Sequence, residues 1–296
     1  GTAATQSFTL TVQEPPAFTS ANAVSFTAGT AGSFQLTASG YPGATFTKTA
    51  GTLPSGVSLV GGVLSGTPAV GSGGTYSVTF EAGNGVGTVA TQSFTLTVLE
   101  SATVSSGSST TFTAGTSNSF PLTASGNPGS FTWSTASALP TGVTLSSSGS
   151  LSGTPAAGTG GTYTINLSVS NGVGTAGTQT FTLTVNEAPA FTSASKATFT
   201  VGTNGPSFQV TALGFPVPTF ALAPTSVALP AGLSLSSGGV LSGTPNSGTG
   251  GTYTITIRAS NSVTDTDQSF TLTVNEAPTV SSGSSTTFTA GTSNSF

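Results

Sequence analysis

Four of the seven acidic residues, Glu14, Glu100, Glu187 and Glu276, each stand two residues after a valine that closes a recurring Phe-Thr-Leu-Thr-Val pentapeptide. Carboxylates placed so regularly are candidates for two kinds of chemistry. The first is calcium bound between domains, which calls for six to eight oxygen ligands and several carboxylates. At one boundary Asp265 and Asp267 are available to join Glu276, whereas each of the others has a single acid. The plainer reading is a hydrogen bond or charge contact from each glutamate to the neighbouring domain. General acid–base work, glycoside hydrolysis included, needs two positioned carboxylates with separated pKa values. No such pair recurs, and Glu81 falls on an outward strand face with Lys48 as its nearest candidate partner. We therefore expect no catalytic residue, no enzyme activity, and no cofactor other than calcium at a junction.

The rest of the composition narrows the chemistry further. The chain has no His, Cys or Met, which excludes a His/Cys zinc site, haem ligation, a thiol nucleophile and a serine–histidine pair. Without disulfides each domain must be held by its core alone, and cysteine usage says nothing of the compartment. Only 3% of residues are charged, the net charge is −4, and Lys48, Lys196 and Arg258 form no patch; nucleic acid is not an expected partner. No apolar run approaches the roughly 20 residues of a membrane-spanning helix, and the start of the chain lacks the pattern of a leader peptide. Apolar residues alternate with Thr and Ser, as in half-buried strands rather than in a disordered chain.

The elements that must position the glutamates come in a tandem array. The pentapeptide recurs at Phe8–Val12, Phe94–Val98, Phe181–Val185 and Phe270–Val274, at spacings of 86, 87 and 89 residues. That period is too long for one solenoid unit and suits a small all-β domain. Each copy opens with Phe-Thr-Ala/Val-Gly-Thr, passes a Gly-x-Pro turn at Gly40, Gly126 and Gly214, and enters a short strand at Phe46, Phe131 and Phe220. On this alignment Trp133 stands opposite Lys48 and Leu222. Leu-Pro-x-Gly segments then lead to Leu-Ser-Gly-Thr-Pro, whose Pro68, Pro155 and Pro245 are expected to bar them from a central ladder. The cleanest alternation follows in the strands opened by Tyr76, Tyr163 and Tyr253, and Asn84, Asn171 and Asn261 mark the turn into the closing pentapeptide. About seven strands fill each period, with no helical segment. The expected fold is all-β, a row of tandem immunoglobulin-like β-sandwich domains of about 87 residues, each with a tyrosine corner and with packing where a disulfide would lie.

The block Leu-Pro-x-Gly-Val/Leu-x-Leu, Leu-Ser-Gly-Thr-Pro, Gly-Thr-Tyr and Ala/Ser-x-Asn, present in all three complete copies, resembles the cadherin- or dystroglycan-like Ig-domain tandem repeats of very large bacterial secreted and surface proteins. The resemblance implies a non-catalytic extracellular or cell-surface repeat used for spacing, adhesion or carbohydrate-associated binding. We expect a structural stalk or fibre segment of an adhesin-like protein. The alternatives are a segment of a polymerised extracellular filament or sheath, and a carbohydrate-binding Ig-like module.

The pattern assigns 1–12 to the last strand of a preceding repeat, 13–98, 99–185 and 186–274 to three repeats, and 275–296 to the start of a fourth. Read this way, the chain is an excerpt of a longer repetitive polypeptide. The linkers Val12–Pro16 and Val185–Pro189 are short and contain proline, so neighbouring repeats are expected to abut and to be each other's first partners. Residues 103–120 and 279–296 are identical at an offset of 176, which makes a domain pair a candidate unit. Leu139–Gly142 reads as a turn rather than a sorting signal, no lysine recurs to support isopeptide links, and the sequon Asn166-Leu-Ser168 falls inside a strand. The Thr and Ser that replace charge on strand faces fit O-glycans, lateral self-association into fibres, or simple β-propensity.

Overall fold

The computed structural model describes residues 1–293 and 295. Asn294 and Phe296, the end of the expected fourth-repeat segment, lie outside the described residues. The chain divides into two compact units, residues 1–110, 117–154 and 163–183, and residues 111–116, 155–162 and 184–296. Unit 1 holds repeat 1 and most of repeat 2; unit 2 holds the rest of repeat 2 with repeat 3. Every described element is a strand.

Repeat 1 comprises β1 (Glu14–Phe18), β2 (Ala23–Thr27), β3 (Gly32–Gln35), β4 (Ala38–Tyr41), β5 (Thr45–Ala50), β6 (Val57–Val60), β7 (Val63–Gly66), β8 (Gly74–Gly83) and the first part of β9 (Ala90–Val104). Repeat 2 adds β10 (Ser109–Thr113), β11 (Asn118–Pro121), β12 (Ala124–Asn127), β13 (Thr132–Thr135), β14 (Val143–Leu145), β15 (Ser150–Gly153), β16 (Gly161–Ser170) and β17 (Gly177–Phe191). Repeat 3 adds β18 (Lys196–Thr200), β19 (Phe208–Gln209), β20 (Ala212–Phe215), β21 (Thr219–Leu222), β22 (Leu233–Leu235), β23 (Val240–Gly243), β24 (Gly251–Ser260) and β25 (Asp265–Asn275).

One layer of repeat 1 runs β2-β9-β8-β5, with β2 parallel to β9, and the other runs β3-β7-β6 with the β1–β4 pair. Repeat 3 keeps the plan as β18-β25-β24-β21 and β19-β23-β22. Nine ladder segments thus stand where about seven strands are expected, because two strands are interrupted: β1 and β2 are halves of the first, β3 and β4 of the second. The second strand breaks at Leu36, where the chain passes from pairing with β7 to pairing with β1. Residues 1–13 and 277–293 enter no ladder, and Phe8, Leu10 and Val12 are exposed. The strand expected at 1–12 does not form, since it has no neighbouring strand to pair with.

Alternation decides the core. In repeat 1 Phe26, Leu36, Leu64, Val78, Phe80, Phe94, Leu96 and Val98 bury between the layers, and in repeat 3 Phe199, Val210, Leu241, Ile255, Ile257, Phe270 and Leu272 do the same. A ring pair recurs between the layers, tilted for Phe34 with Phe94 at 5.2 Å and Phe120 with Phe181 at 5.3 Å and edge-on for Phe208 with Phe270 at 5.3 Å. Such pairs add about 0.5–1.5 kcal/mol beyond their buried area. Val78, Ile165 and Ile255, two residues after the corner tyrosines, are fully packed where a disulfide was expected to be replaced.

Two sequence expectations need correction. The Leu-Ser-Gly segments are not barred from a central position: β7, β15 and β23 are the middle strands of their three-stranded sheets. Pro68, Pro155 and Pro245 lie two residues beyond them with buried rings, and their carbonyls accept from Gly29, Gly115 and Gly202. The strand can be central because its last residue is glycine. Gly66 has φ +143°, and a Cβ there would lie 2.0 Å from the Gly56 carbonyl oxygen.

The second correction concerns Trp133. It pairs with Val169, as Phe46 pairs with Ala82 and Phe220 with Ala259. Trp133 therefore occupies the place of Phe46 and Phe220, not of Lys48 and Leu222. The turn before it holds one more residue than in the other copies, and the dipeptide Phe131-Thr132 imitates Phe46-Thr47. Lys48 sits opposite Phe80 near the strand end and donates to the Gly51 carbonyl at 2.7 Å, whereas Glu81 sits opposite Thr47 on the other face. Strand alternation thus sets Glu81 and Lys48, its nearest candidate partner by sequence, on opposite faces.

Candidate functional site: the repeat junctions

Glu100 and Glu187 lie within β9 and β17, the strands that close one repeat and open the next, whereas Glu14 opens β1 and Glu276 follows β25. In unit 1, β9 pairs with β8 up to Val98 and with β12 from Glu100 onward, so no linker intervenes. Glu100 stands opposite Asn127, as Glu14 stands opposite Tyr41 and Glu187 opposite Phe215. A register shift follows each of these pairings.

Glu100 is held from both sides. Its carboxylate reaches back to repeat 1 and accepts the backbone amides of Gly71 and Gly73, the latter at 2.9 Å. Its own carbonyl accepts from Nδ2 of Asn171 in repeat 2 at 2.8 Å, and the same amide donates to the Pro128 carbonyl at 3.0 Å. Asn171 Oδ1 in turn accepts from the Val173 amide. Within unit 2 the arrangement recurs: Glu187 accepts from Gly158 and Gly160, while Asn261 donates to the Glu187 and Pro216 carbonyls. Glu187 is the one buried charged residue among those described.

The other two glutamates each show half of this staple. The Glu14 carbonyl takes the Asn84 amide at 2.8 Å while its side chain is exposed. The Glu276 carboxylate accepts from Gly248 at 2.7 Å and Gly250 at 2.8 Å. Those amides, Gly248 first, hold the Glu276 carboxyl below the usual carboxylate range.

The receiving loop is local and closed by its own hydrogen bonds. It reads Gly71-Ser-Gly-Gly-Thr-Tyr76, Gly158-Thr-Gly-Gly-Thr-Tyr163 and Gly248-Thr-Gly-Gly-Thr-Tyr253. Gly71, Gly158 and Gly248 have φ of +87°, +83° and +84°, a left-handed turn that aims neighbouring N–H groups to one side. The tyrosine corner closes the same loop: Tyr76 donates to the Ser72 carbonyl at 2.7 Å and Tyr253 to that of Thr249 at 2.8 Å.

The candidate calcium ligands are not brought together. Asp265 and Asp267 begin β25, and Glu276 follows its end, about 30–36 Å of extended chain away. Both aspartates are engaged by Arg258, at 3.2 and 2.8 Å. The Asp267 hydrogen bond raises the Arg258 pKa and Arg258 lowers that of Asp267. Among the described residues no cluster of three His, Cys, Asp or Glu can hold a metal ion.

The glycine loop and the pairing of Asn with Glu are the functional residues that sequence reasoning missed. The glycines recur visibly, but Asn171 and Glu100 lie 71 residues apart, and nothing in either segment announces the other.

Fold and junctions together define a tandem array of immunoglobulin-like β-sandwiches. The chain belongs to the family described as Putative Ig domain (He_PIG), whose model matches residues 15–99, 100–186 and 188–275. In fold it is similar to the I-band fragment I67–I69 of titin, with 17% identity, 90% of this chain and 99% of that one covered, and a TM-score of 0.50. It is similar also to the complex of Dpr2 Ig1–Ig2 with DIP-Theta Ig1–Ig3, with 13% identity, coverage of 88% and 100%, and a TM-score of 0.50. No curated protein matches the sequence.

Proposed function

We propose that this chain is a non-catalytic stalk segment of a large repetitive extracellular or cell-surface protein, an adhesin-like spacer that sets distance for a partner-binding part elsewhere. The observation that carries this reading is β9, one strand of 15 residues that closes repeat 1 and opens repeat 2 without a linker. A strand laddered on both sides of a boundary resists bending there, because reorienting the repeats means breaking hydrogen bonds rather than rotating free dihedrals. The recurring carboxylates support the absence of a catalytic or metal role, since the docked ones are engaged by backbone amides. The first partners in this reading are neighbouring repeats of the same chain.

Electron microscopy of the isolated chain tests the reading. A narrow distribution of the angle between repeats 1 and 2 is expected. Freely kinked particles would overturn the stalk reading. Shaving intact source cells with a protease tests the surface location, with the repeats expected among the released fragments.

A further inference from the structure

We propose that the Gly-x-Gly-Gly loop before each tyrosine strand is a carboxylate-binding site, filled in cis by the glutamate that opens the next repeat, and that its filling couples the stability of adjacent repeats. The proposal rests on the loop geometry alone, so it stands or falls separately from the stalk reading.

The loop is braced by hydrogen bonds that do not involve its ligand. In the first loop Ser72 Oγ donates to the Ala69 carbonyl, and the Tyr76 hydroxyl closes the turn. Thr159 and Thr249 make the matching bonds to Ala156 and Asn246. All of these bonds lie within the loop or its own strand. The loop thus presents two amides in a fixed concavity, the arrangement by which peptide backbone binds anions. The pocket is also shaped to its occupant: a Cβ at Gly73, Gly160 or Gly250 would lie 2.7, 2.8 or 2.6 Å from the Cβ of Glu100, Glu187 or Glu276.

No lysine or arginine lies in residues 69–76, 156–163 or 246–253, and the titratable side chains on these segments are Tyr76, Tyr163 and Tyr253. Recognition is therefore by backbone dipoles, joined in the third loop by the Ser247 hydroxyl at 3.5 Å from a Glu276 oxygen, which suits a carboxylate and asks for no cation. A site filled from the next repeat supplies a nearest-neighbour interface term of the kind that makes tandem repeats cooperative.

The test uses the full chain with Glu100→Ala at neutral pH, following the Gly71 and Gly73 amides by NMR. Both resonances should move upfield in the variant, and sodium acetate should return them saturably while sodium chloride at equal ionic strength does not. The melting temperature should fall by about 4–8 °C, the shift expected for the net loss of roughly one ordinary hydrogen bond in a domain of this size. Acetate should recover part of that loss in the variant and leave the original chain unchanged. Unmoved glycine resonances, or acetate acting no more than chloride, would overturn the proposal.

If Glu100→Ala does not fold, Glu100→Gln reads the same site, and retention of both wild-type glycine shifts would overturn it. A cycle with Gly73→Ala is an independent arm. Because the overlap includes the Glu100 Cβ, which alanine keeps, the partner change in this arm is Glu100→Gly: steric overlap predicts that Gly73→Ala costs much less in that background, and strict additivity would refute the contact.

Discussion

The Glu276 carboxylate is bonded to backbone amides that cannot change charge, so only its own protonation alters the contact. Because its folded pKa is depressed by Gly248 and Gly250, it contributes stability that is present above its ordinary value of about 4.5 and is lost as pH falls through the lower folded value. Glu276→Gln should remove that slope, so thermal melts of the two chains should differ in steepness below about pH 4.5 and run parallel at neutral pH. Tyr253 makes a simpler case. Tyr253→Phe keeps the ring and deletes one bond to the Thr249 carbonyl, at a cost of about 1 kcal/mol in urea unfolding of repeat 3. At this scale the recurrence of Glu, Asn, Pro and Tyr was legible in the sequence. What each one holds was not, because the bonds join loops that only the folded sandwich brings together.

Among the elements, the strands that alternate cleanly were legible: β8, β16 and β24 run through the expected tyrosines, opening two residues earlier at Gly74, Gly161 and Gly251. The short strands were harder to read. Three or four residues give too little pattern to distinguish a central strand from an edge, so by pattern alone β7 reads as a turn-bound edge piece. One extra turn residue was enough to misplace Trp133. The equivalence now assigned makes a sharp prediction, since the same place holds phenylalanine in repeats 1 and 3. Trp133→Phe should cost less than about 1.5 kcal/mol, as volume-tolerant core exchanges do. Trp133→Ala, at a site only 5% exposed, should cost about 3–5 kcal/mol. Circular dichroism melts of both variants decide the matter; a Phe variant as damaged as the Ala variant would restore the alignment with Lys48. As the single tryptophan of the chain, Trp133 also makes fluorescence a private reporter of repeat 2.

For the whole molecule, the tandem class could be read from the period alone, whereas the manner of joining could not: short proline-containing linkers were expected and a shared strand was found. Pulling the chain by its ends should release the three repeats as separate events, each adding about 27 nm of contour, from 87 residues at the extended limit of the backbone less the folded span. A single longer event, or increments unrelated to the repeat, would contradict the division into repeats 1 to 3. Each repeat carries a glutamate plug at its beginning, a glycine socket toward its end, and the asparagine that steadies its own plug. Every copy is therefore a complete connector whatever copy precedes or follows it. Gain or loss of whole repeats in the gene would leave every joint intact, so copy number, and with it reach, is free to vary without any new contact having to be invented.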